Sequence, residues 1–133
     1  PELLEGATLG EALLATHRPY LREVRPLRDL VRGISHITGG GYPENLPRIL
    51  PNGLAIEVDT RSWHVPGIFR LIRQRGEIGA REMYEVFNMG IGLALIVRPE
   101  DADQAVAAVA GAALIGTVTE STGPRVVLRG LED

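Results

Sequence analysis

The sequence contains no cysteine and no lysine, few aromatic residues and no long apolar run. Without cysteine the chain can form no disulfide, thiolate zinc site or cysteine nucleophile, and it suits a reducing compartment, so we expect a cytoplasmic protein. The missing apolar run argues against a membrane partner. An aromatic content of 5% and a net charge of −3 argue against nucleic acid as a partner, since nucleic-acid binding calls for a basic surface with aromatic residues.

The rest of the composition is that of an ordinary globular domain. The chain has 133 residues, of which 44% are hydrophobic and 23% charged, so we expect a single domain over residues 1–133. It starts without an initiator methionine or a signal-peptide layout, so we expect a processed or shortened start. The three histidines are too scattered to predict a metal site, and His17 and His64, which have no polar cluster around them, are expected to be structural or surface residues.

Patterns of apolar residues predict alternating strands and helices, and therefore an α+β fold with a mixed four- to five-stranded sheet packed by helices in α/β/α layers. The firmest early strand is residues 54–59, where apolar and polar residues alternate. An amphipathic helix is predicted over residues 21–32, although Pro26 must kink or delay it. The segment GIGLALIVR, residues 90–98, is apolar on both faces and predicts the central strand.

The segment SHITGGGYPENLPRILP, residues 35–51, carries three glycines between a predicted strand and a predicted helical turn. Glycines leave backbone N–H groups unobstructed, and such a loop at a helix start forms a cradle for an anion, most often phosphate. We therefore predict a phosphate-binding site with backbone groups from the glycines and side chains from the residues around them, namely His36, Thr38, Gly39, Gly40, Gly41 and Asn45. His36 could bind as a charged donor or act as a proton shuttle. The alternative is a simple turn that needs positive φ, and the pattern leaves both open.

A second candidate is FNMGIG, residues 87–92, at a helix-to-strand junction. Asn88 and Gly90 could line a pocket there, or they could be a helix cap followed by the entry to a strand. The pattern alone does not decide between these two interpretations.

Two long motifs carry a family resemblance. HITGGGYPENLPRILP, together with SWHVPGIFRLIRQRGEIGAREMYEVFNMGIGL, resembles the C-terminal domain of the phosphoribosylformylglycinamidine cyclo-ligases, which are the aminoimidazole ribonucleotide synthetases of purine biosynthesis. The resemblance runs from LGEALL at residue 9 to IGTV at residue 118 and so covers nearly the whole chain. It implies a partly ferredoxin-like fold.

For function, the resemblance implies an ATP-dependent ring closure. Formylglycinamidine ribonucleotide is converted to aminoimidazole ribonucleotide, with release of ADP and phosphate. ATP and Mg²⁺ would be bound by an N-terminal domain that has no counterpart in this chain, and the full-length enzyme would be a homodimer. This chain would bind the ribonucleotide phosphate through the glycine stretch, with His36 as a candidate catalytic residue, and would hold no cofactor and show no turnover on its own.

Other readings remain. The chain could be a stand-alone phosphate- or nucleotide-binding module that regulates a partner, or a related enzyme that activates a different oxygen with ATP. One departure from the family concerns residues 16–20, Thr-His-Arg-Pro-Tyr, where the resemblance leads us to expect Pro-Thr-Arg, an apolar residue and Tyr. Any role of that threonine cannot be transferred to His17.

Overall fold

The computed structural model describes residues 2–131, and within them it shows six α-helices and five β-strands. The helices are α1 (Leu9–Leu13), α2 (Leu21–Val24), α3 (Gly41–Asn45), α4 (Gly67–Gly76), α5 (Ala80–Val86) and α6 (Ala102–Ala108). The strands are β1 (Val31–His36), β2 (Leu54–Asp59), β3 (Leu93–Val97), β4 (Gly116–Glu120) and β5 (Val126–Arg129). This succession confirms the α+β class.

The five strands form two sheets, whereas the sequence predicts a single sheet of four to five strands. One sheet pairs β1 with β3 in antiparallel orientation, and the other has the order β4-β2-β5. Because β2 runs antiparallel to β4 and parallel to β5, this second sheet is mixed, as predicted. The division into two sheets corrects the prediction, since apolar alternation identifies a strand but does not say which strand it pairs with.

The position of β3 is a second correction, because the sequence predicts it at the centre of a sheet. Within the described residues β3 pairs with β1 alone, and all of its residues are half-buried. Ala94 and Ile96 pack against the core. The alternating residues Leu93 and Leu95 take the other face, where Leu95 pairs with Ile34, which is 47% exposed. Both faces of β3 therefore carry apolar side chains, but only one of them packs against the core.

The chain around Pro26 is less helical than predicted. The structure ends α2 at Val24, continues with a 3₁₀ turn over Arg25–Leu27 and enters β1 at Val31. Proline has no backbone N–H to donate within a helix and its ring clashes with the preceding turn, so the helix cannot run through it. The sequence signal located the helix break and predicted a strand before the glycines, but this strand already begins at Val31, within the predicted helix.

Local sequence explains the start of α1 well. The side chain of Thr8 accepts a hydrogen bond from the backbone N–H of Glu11 at 3.3 Å, and the Glu11 carboxylate accepts from the N–H of Thr8 at 2.8 Å. This reciprocal pair is a capping box. The backbone hydrogen bond from Thr8 is the main reason that the pKa of Glu11 lies below its ordinary value, and the hydrogen bond from the Thr8 side chain is the second.

The hydrophobic core forms around the segment that carries the glycines. Its buried members are Ile37, Tyr42, Leu46, Leu50, Ile56, Val58, Met83, Tyr84 and Met89. Ile37 is 1% exposed and Tyr42 is 0% exposed, and they stand on either side of the three glycines. Burial of such side chains contributes about 1.5–3 kcal/mol each, so both ends of the glycine segment are fixed to the core. No helix in residues 2–131 combines the length and the apolarity needed to cross a bilayer.

Candidate functional site

The glycine loop, residues 38–41, joins β1 to α3 and makes a sharp turn. Gly40 has φ of 88° and Gly41 has φ of 56°, in the left-handed region that favours glycine. A side chain at Gly41 would also collide with the backbone carbonyl of Tyr84 on α5, whereas the space around the α-carbon of Gly39 is open. The turn therefore accounts for Gly40 and Gly41 but not for Gly39.

Asn45 holds this loop from the inside. Its side chain is buried, with 3% of the residue exposed. Its amide nitrogen donates to the carbonyl oxygen of Gly41 at 2.7 Å and approaches those of Thr38 and Gly39 at 3.3 Å each. Its amide oxygen accepts from the hydroxyl of Thr38 at 3.4 Å. The sequence predicts Thr38 and Asn45 as ligand contacts. In the structure the two side chains are hydrogen-bonded to each other, and that of Asn45 also bonds the loop carbonyls.

The carbonyl groups held by Asn45 determine where the loop N–H groups point. In a planar trans peptide the carbonyl of one residue and the N–H of the next lie on opposite sides. The carbonyls of Thr38 and Gly39 face the buried amide of Asn45, so the N–H groups of Gly39 and Gly40 point away from it. Within the described residues neither of these two N–H groups donates a hydrogen bond. The loop thus presents two successive unpaired backbone donors, an arrangement suited to an anion.

One negative charge lies beside the donors. The carboxylate of Glu44 lies against the α-carbon of Gly40, on the side where a side chain would project. Glu44 is exposed, so solvent screens its charge. The carboxylate should weaken anion binding at the loop, and it can also accept a hydrogen bond from a hydroxyl or amino group of a bound molecule.

His36 stands at the end of β1, two residues before Thr38. Both residues are exposed while Ile37 between them is buried, so both side chains lie on the solvent side of this extended segment. The ring of His36 lies 5.3 Å from the ring of His17, measured between centroids, with 52° between the ring planes. His17 is exposed, as expected of a surface residue, and one of its ring neighbours is His36. Neither sequence spacing nor periodicity could have signalled a contact between residues so far apart in the chain.

His17 belongs to the connector, residues 15–20, between α1 and α2. The hydroxyl of Tyr20 lies against the α-carbon of Gly92, which leaves no space for a side chain there. The guanidinium of Arg18 pairs with Glu23 at 2.5 Å and donates to the carbonyl of Ala110 at 3.2 Å. These three contacts fix the connector directly after His17, so the position of His17 beside β1 is set by the fold.

A cluster of aromatic side chains lies on the core side of the glycine loop. Tyr42, Trp63 and Tyr84 form a cluster with ring centroids 5.6–6.2 Å apart. The hydroxyl of Tyr42 donates to the carbonyl of Asn88 at 2.7 Å, and the indole N–H of Trp63 donates to the carbonyl of Met89 at 2.9 Å. Burial, with a smaller contribution from Tyr84, raises the pKa of Tyr42. Its hydroxyl therefore remains a hydrogen-bond donor at neutral pH.

These hydrogen bonds tie the segment FNMGIG to the core beneath the glycine loop. Within that segment the side-chain oxygen of Asn88 accepts from the N–H of Gly90 at 2.9 Å. Gly90 has φ of 100° and packs against Pro66. Asn88 and Gly90 thus build a turn between α5 and β3, and a pocket-lining role for them stays a prediction.

Two grooves lie away from the glycine loop. One, of about 560 Å³, runs between α2 and β1. The other, of about 270 Å³, is bordered by Arg61, Arg70 and Arg73 and has Tyr84 and Met89 in its lining. No residue of the loop lines either groove. The loop donors therefore belong to neither of these two grooves.

Comparison with known proteins bears on what this surface is. Residues 2–129 match the family model described as AIR synthase related protein, C-terminal domain. The phosphoribosylformylglycinamidine cyclo-ligase of Thermoanaerobacter sp. (strain X514) is 44% identical over 128 residues, 92% of this chain and 38% of that protein. The protein of the same name from Desulfitobacterium hafniense (strain DSM 10664 / DCB-2) is 52% identical over 105 residues, 77% of this chain and 30% of that protein.

A third relative of that name, from Bifidobacterium longum (strain DJO10A), is 40% identical over 133 residues, 95% of this chain and 39% of that protein. The chain thus spans less than two fifths of the length of the curated relatives it matches. The match covers the glycine loop, the Asn45 brace and the turn at Asn88. The chain belongs to the family of AIR synthase related proteins, and it corresponds to their C-terminal domain.

Proposed function

We propose that this chain is the ribonucleotide-binding C-terminal part of an ATP-dependent cyclo-ligase of purine biosynthesis. The reaction converts formylglycinamidine ribonucleotide to aminoimidazole ribonucleotide, ADP and phosphate. The names of the relatives support the ligase assignment. The observation that carries the role of this chain is the pair of unpaired N–H groups of Gly39 and Gly40, which the Asn45 brace turns outward.

The proposed ligand of these donors is the phosphate of the ribonucleotide. A phosphate oxygen accepts hydrogen bonds from backbone N–H groups without steric obstruction when the donors belong to glycines. His36, exposed at the end of β1 on the same side as Thr38, can donate an N–H to the same phosphate or to the adjacent ribose. Gly41 contributes indirectly, because only glycine fits against the carbonyl of Tyr84 and so lets the loop turn there.

The chemistry of the proposed reaction sets what the rest of the enzyme must supply. The formyl oxygen attacks the γ-phosphorus of ATP, an O–P bond forms and the bond to the departing ADP breaks. A nitrogen of the same substrate then forms a C–N bond at the activated carbon, phosphate leaves with the former formyl oxygen, and a proton is lost. Within residues 2–131 no three imidazole, carboxylate or thiolate side chains gather to hold a metal ion. From the family resemblance, we assign ATP and Mg²⁺ to an N-terminal domain, in an enzyme proposed to be a homodimer.

Binding of the phosphate can be tested on this chain by calorimetric titration. Formylglycinamidine ribonucleotide should bind at least about tenfold more tightly than the corresponding ribonucleoside, because a charge-assisted contact contributes about 1.5–3 kcal/mol. Gly40→Val should abolish this difference, since the new side chain crowds the donors. Equal affinity of nucleotide and nucleoside for the natural sequence would overturn the phosphate assignment.

Gly53→Val is the matched control for the loop variant. Gly53 has φ of 82°, similar to the 88° of Gly40, and open space around its α-carbon. Both substitutions therefore introduce the same kind of backbone strain, which costs about 1–2 kcal/mol. If Gly53→Val weakens ribonucleotide binding as much as Gly40→Val does, the effect comes from lost stability and not from the loop.

Catalysis needs a separate assay with a complete enzyme. This chain joined to the N-terminal part of a cyclo-ligase should release ADP in the presence of formylglycinamidine ribonucleotide and ATP, and the chain alone should not. ADP release by the chain alone would contradict the proposed division of labour. Ribonucleotide binding with no ADP release in the joined enzyme would favour the regulatory-module alternative.

A further inference from the structure

The connector brings a second histidine into contact with His36 of the proposed phosphate site. His17 comes from residues 15–20 and His36 from the end of β1, yet their rings lie 5.3 Å apart. Both side chains are exposed, so the contact is not a consequence of burial in the core. It results from the anchoring of the connector by Tyr20 against Gly92 and by Arg18 on Glu23 and Ala110.

Two exposed imidazoles in contact are not a stable arrangement when both are charged, because like charges at this separation repel each other. An anion bound beside both rings removes that repulsion and accepts a hydrogen bond from each ring. The ring planes make an angle of 52°, so the two rings are tilted and not stacked in parallel. A phosphate group has several acceptor oxygens and can therefore accept a hydrogen bond from each ring.

The position of His17 and His36 in the fold agrees with binding of an oxyanion. His36 precedes the loop donors by three residues, and its side chain is on the solvent side together with Thr38. The N–H groups of Gly39 and Gly40 are turned away from the buried Asn45. At position 17 the resemblance leads us to expect threonine, so a histidine there adds an N–H donor with a longer reach. A change of this kind alters the ligand surface without altering the core.

We infer that His17 is a ligand-binding residue of this site, donating an imidazole N–H, together with His36, to the phosphate monoester held by the glycine loop. The inference rests on the proposed function, since it needs the loop to bind phosphate. It adds a donor from an element that the glycine motif does not include. His17 would therefore influence the affinity for phosphate monoesters more than the stability of the fold.

A nitrogen-detected NMR titration of the isotope-labelled chain with ribose 5-phosphate tests this inference. The natural sequence should show shifts in the amide resonances of Gly39 and Gly40 and in the imidazole resonances of His17 and His36. The imidazole of His64, which is exposed and belongs to neither the connector nor β1, should not shift. Ribose without phosphate is the ligand control and should shift none of them.

The variant His17→Ala should reduce the affinity for ribose 5-phosphate about 5- to 20-fold while the glycine amide shifts at saturation persist. His64→Ala is the matched control and should leave the affinity unchanged. If His17→Ala binds ribose 5-phosphate as tightly as the natural sequence, His17 only packs against His36, and the inference fails while the phosphate site stands.

If neither the glycine amides nor the histidines respond to ribose 5-phosphate, the proposed function and the inference fail together. If inorganic phosphate shifts the two imidazoles but ribose 5-phosphate does not, the assignment of the pair to a phosphate monoester is wrong. Because His17 is exposed, the folded spectrum of His17→Ala should match that of the natural sequence, which excludes unfolding as the cause of any loss.

Discussion

Replacing Asn45 by aspartate tests the brace on which the loop depends. The substitution Asn45→Asp preserves the size and shape of the side chain but replaces its NH₂ donors with an oxygen. In the natural sequence the amide nitrogen of Asn45 lies 2.7–3.3 Å from the carbonyl oxygens of Thr38, Gly39 and Gly41. In the variant these three oxygens would face a carboxylate. Because Asn45 is 3% exposed, water cannot easily take over as the donor.

The expected loss of stability follows from these contacts. An amide group has two hydrogens, so it supplies two full hydrogen bonds to the three carbonyls, each contributing about 0.5–1.5 kcal/mol net. Burial of a carboxylate among carbonyl oxygens adds a further penalty. We expect Asn45→Asp to lower the free energy of unfolding by about 2–4 kcal/mol at pH 7. Burial and the surrounding oxygens should also raise the pKa of the new carboxyl group, so part of the loss should be recovered at pH 5.

Urea denaturation of the variant at both pH values provides the measurement. Asn52→Asp, at an exposed turn position, makes the same chemical change without a buried partner and should stay within about 0.5 kcal/mol of the natural sequence. If Asn45→Asp unfolds at the same urea concentration as the natural sequence at pH 7, the amide of Asn45 does not hold the loop. The outward direction of the loop donors would then lose its explanation.

Three further changes probe the surroundings of the loop. Gly41→Ala should lower the free energy of unfolding by about 2–4 kcal/mol, because Gly41 has a positive φ and a side chain there would collide with the carbonyl of Tyr84. Gly39→Ala should stay within about 0.5 kcal/mol of the natural sequence. Equal urea midpoints for the two variants would refute the packing argument. Tyr42→Phe should cost about 1 kcal/mol at pH 7 through loss of one hydrogen bond. The folded-state pKa of Tyr42 is raised, so the contribution of its hydroxyl to stability is present below about pH 10 and is lost at higher pH. In alkaline urea titrations the stability of Tyr42→Phe should therefore decline less steeply with pH than that of the natural sequence. Glu44→Gln should raise the affinity for ribose 5-phosphate about 2- to 5-fold at low salt and less at high salt, and a calorimetric titration that shows weaker binding would mean that the carboxylate helps to bind the ligand.

Local sequence signals predicted the elements of the fold better than their arrangement. The alternation over residues 54–59 predicted β2, because this pattern depends on near neighbours in the chain. The division into two sheets and the half-exposed position of β3 depend on pairing between distant segments. No periodicity in the sequence records such pairing.

The candidate site shows the same limit. The three glycines marked the loop, and the resemblance supplied its proposed ligand. The internal hydrogen bonds of Asn45 were not predicted, because the sequence does not show that its side chain turns inward toward three carbonyls. The contact between His17 and His36 was missed because it joins a connector without regular structure to the end of a strand.

The most direct test of the central claim is a crystal structure of this chain bound to formylglycinamidine ribonucleotide. We expect phosphate oxygens within about 2.7–3.2 Å of the backbone nitrogens of Gly39 and Gly40, the ordinary range for a hydrogen bond. The competing location is the groove bordered by Arg61, Arg70 and Arg73. A phosphate bound among those arginines, with the glycine loop empty, would contradict the account.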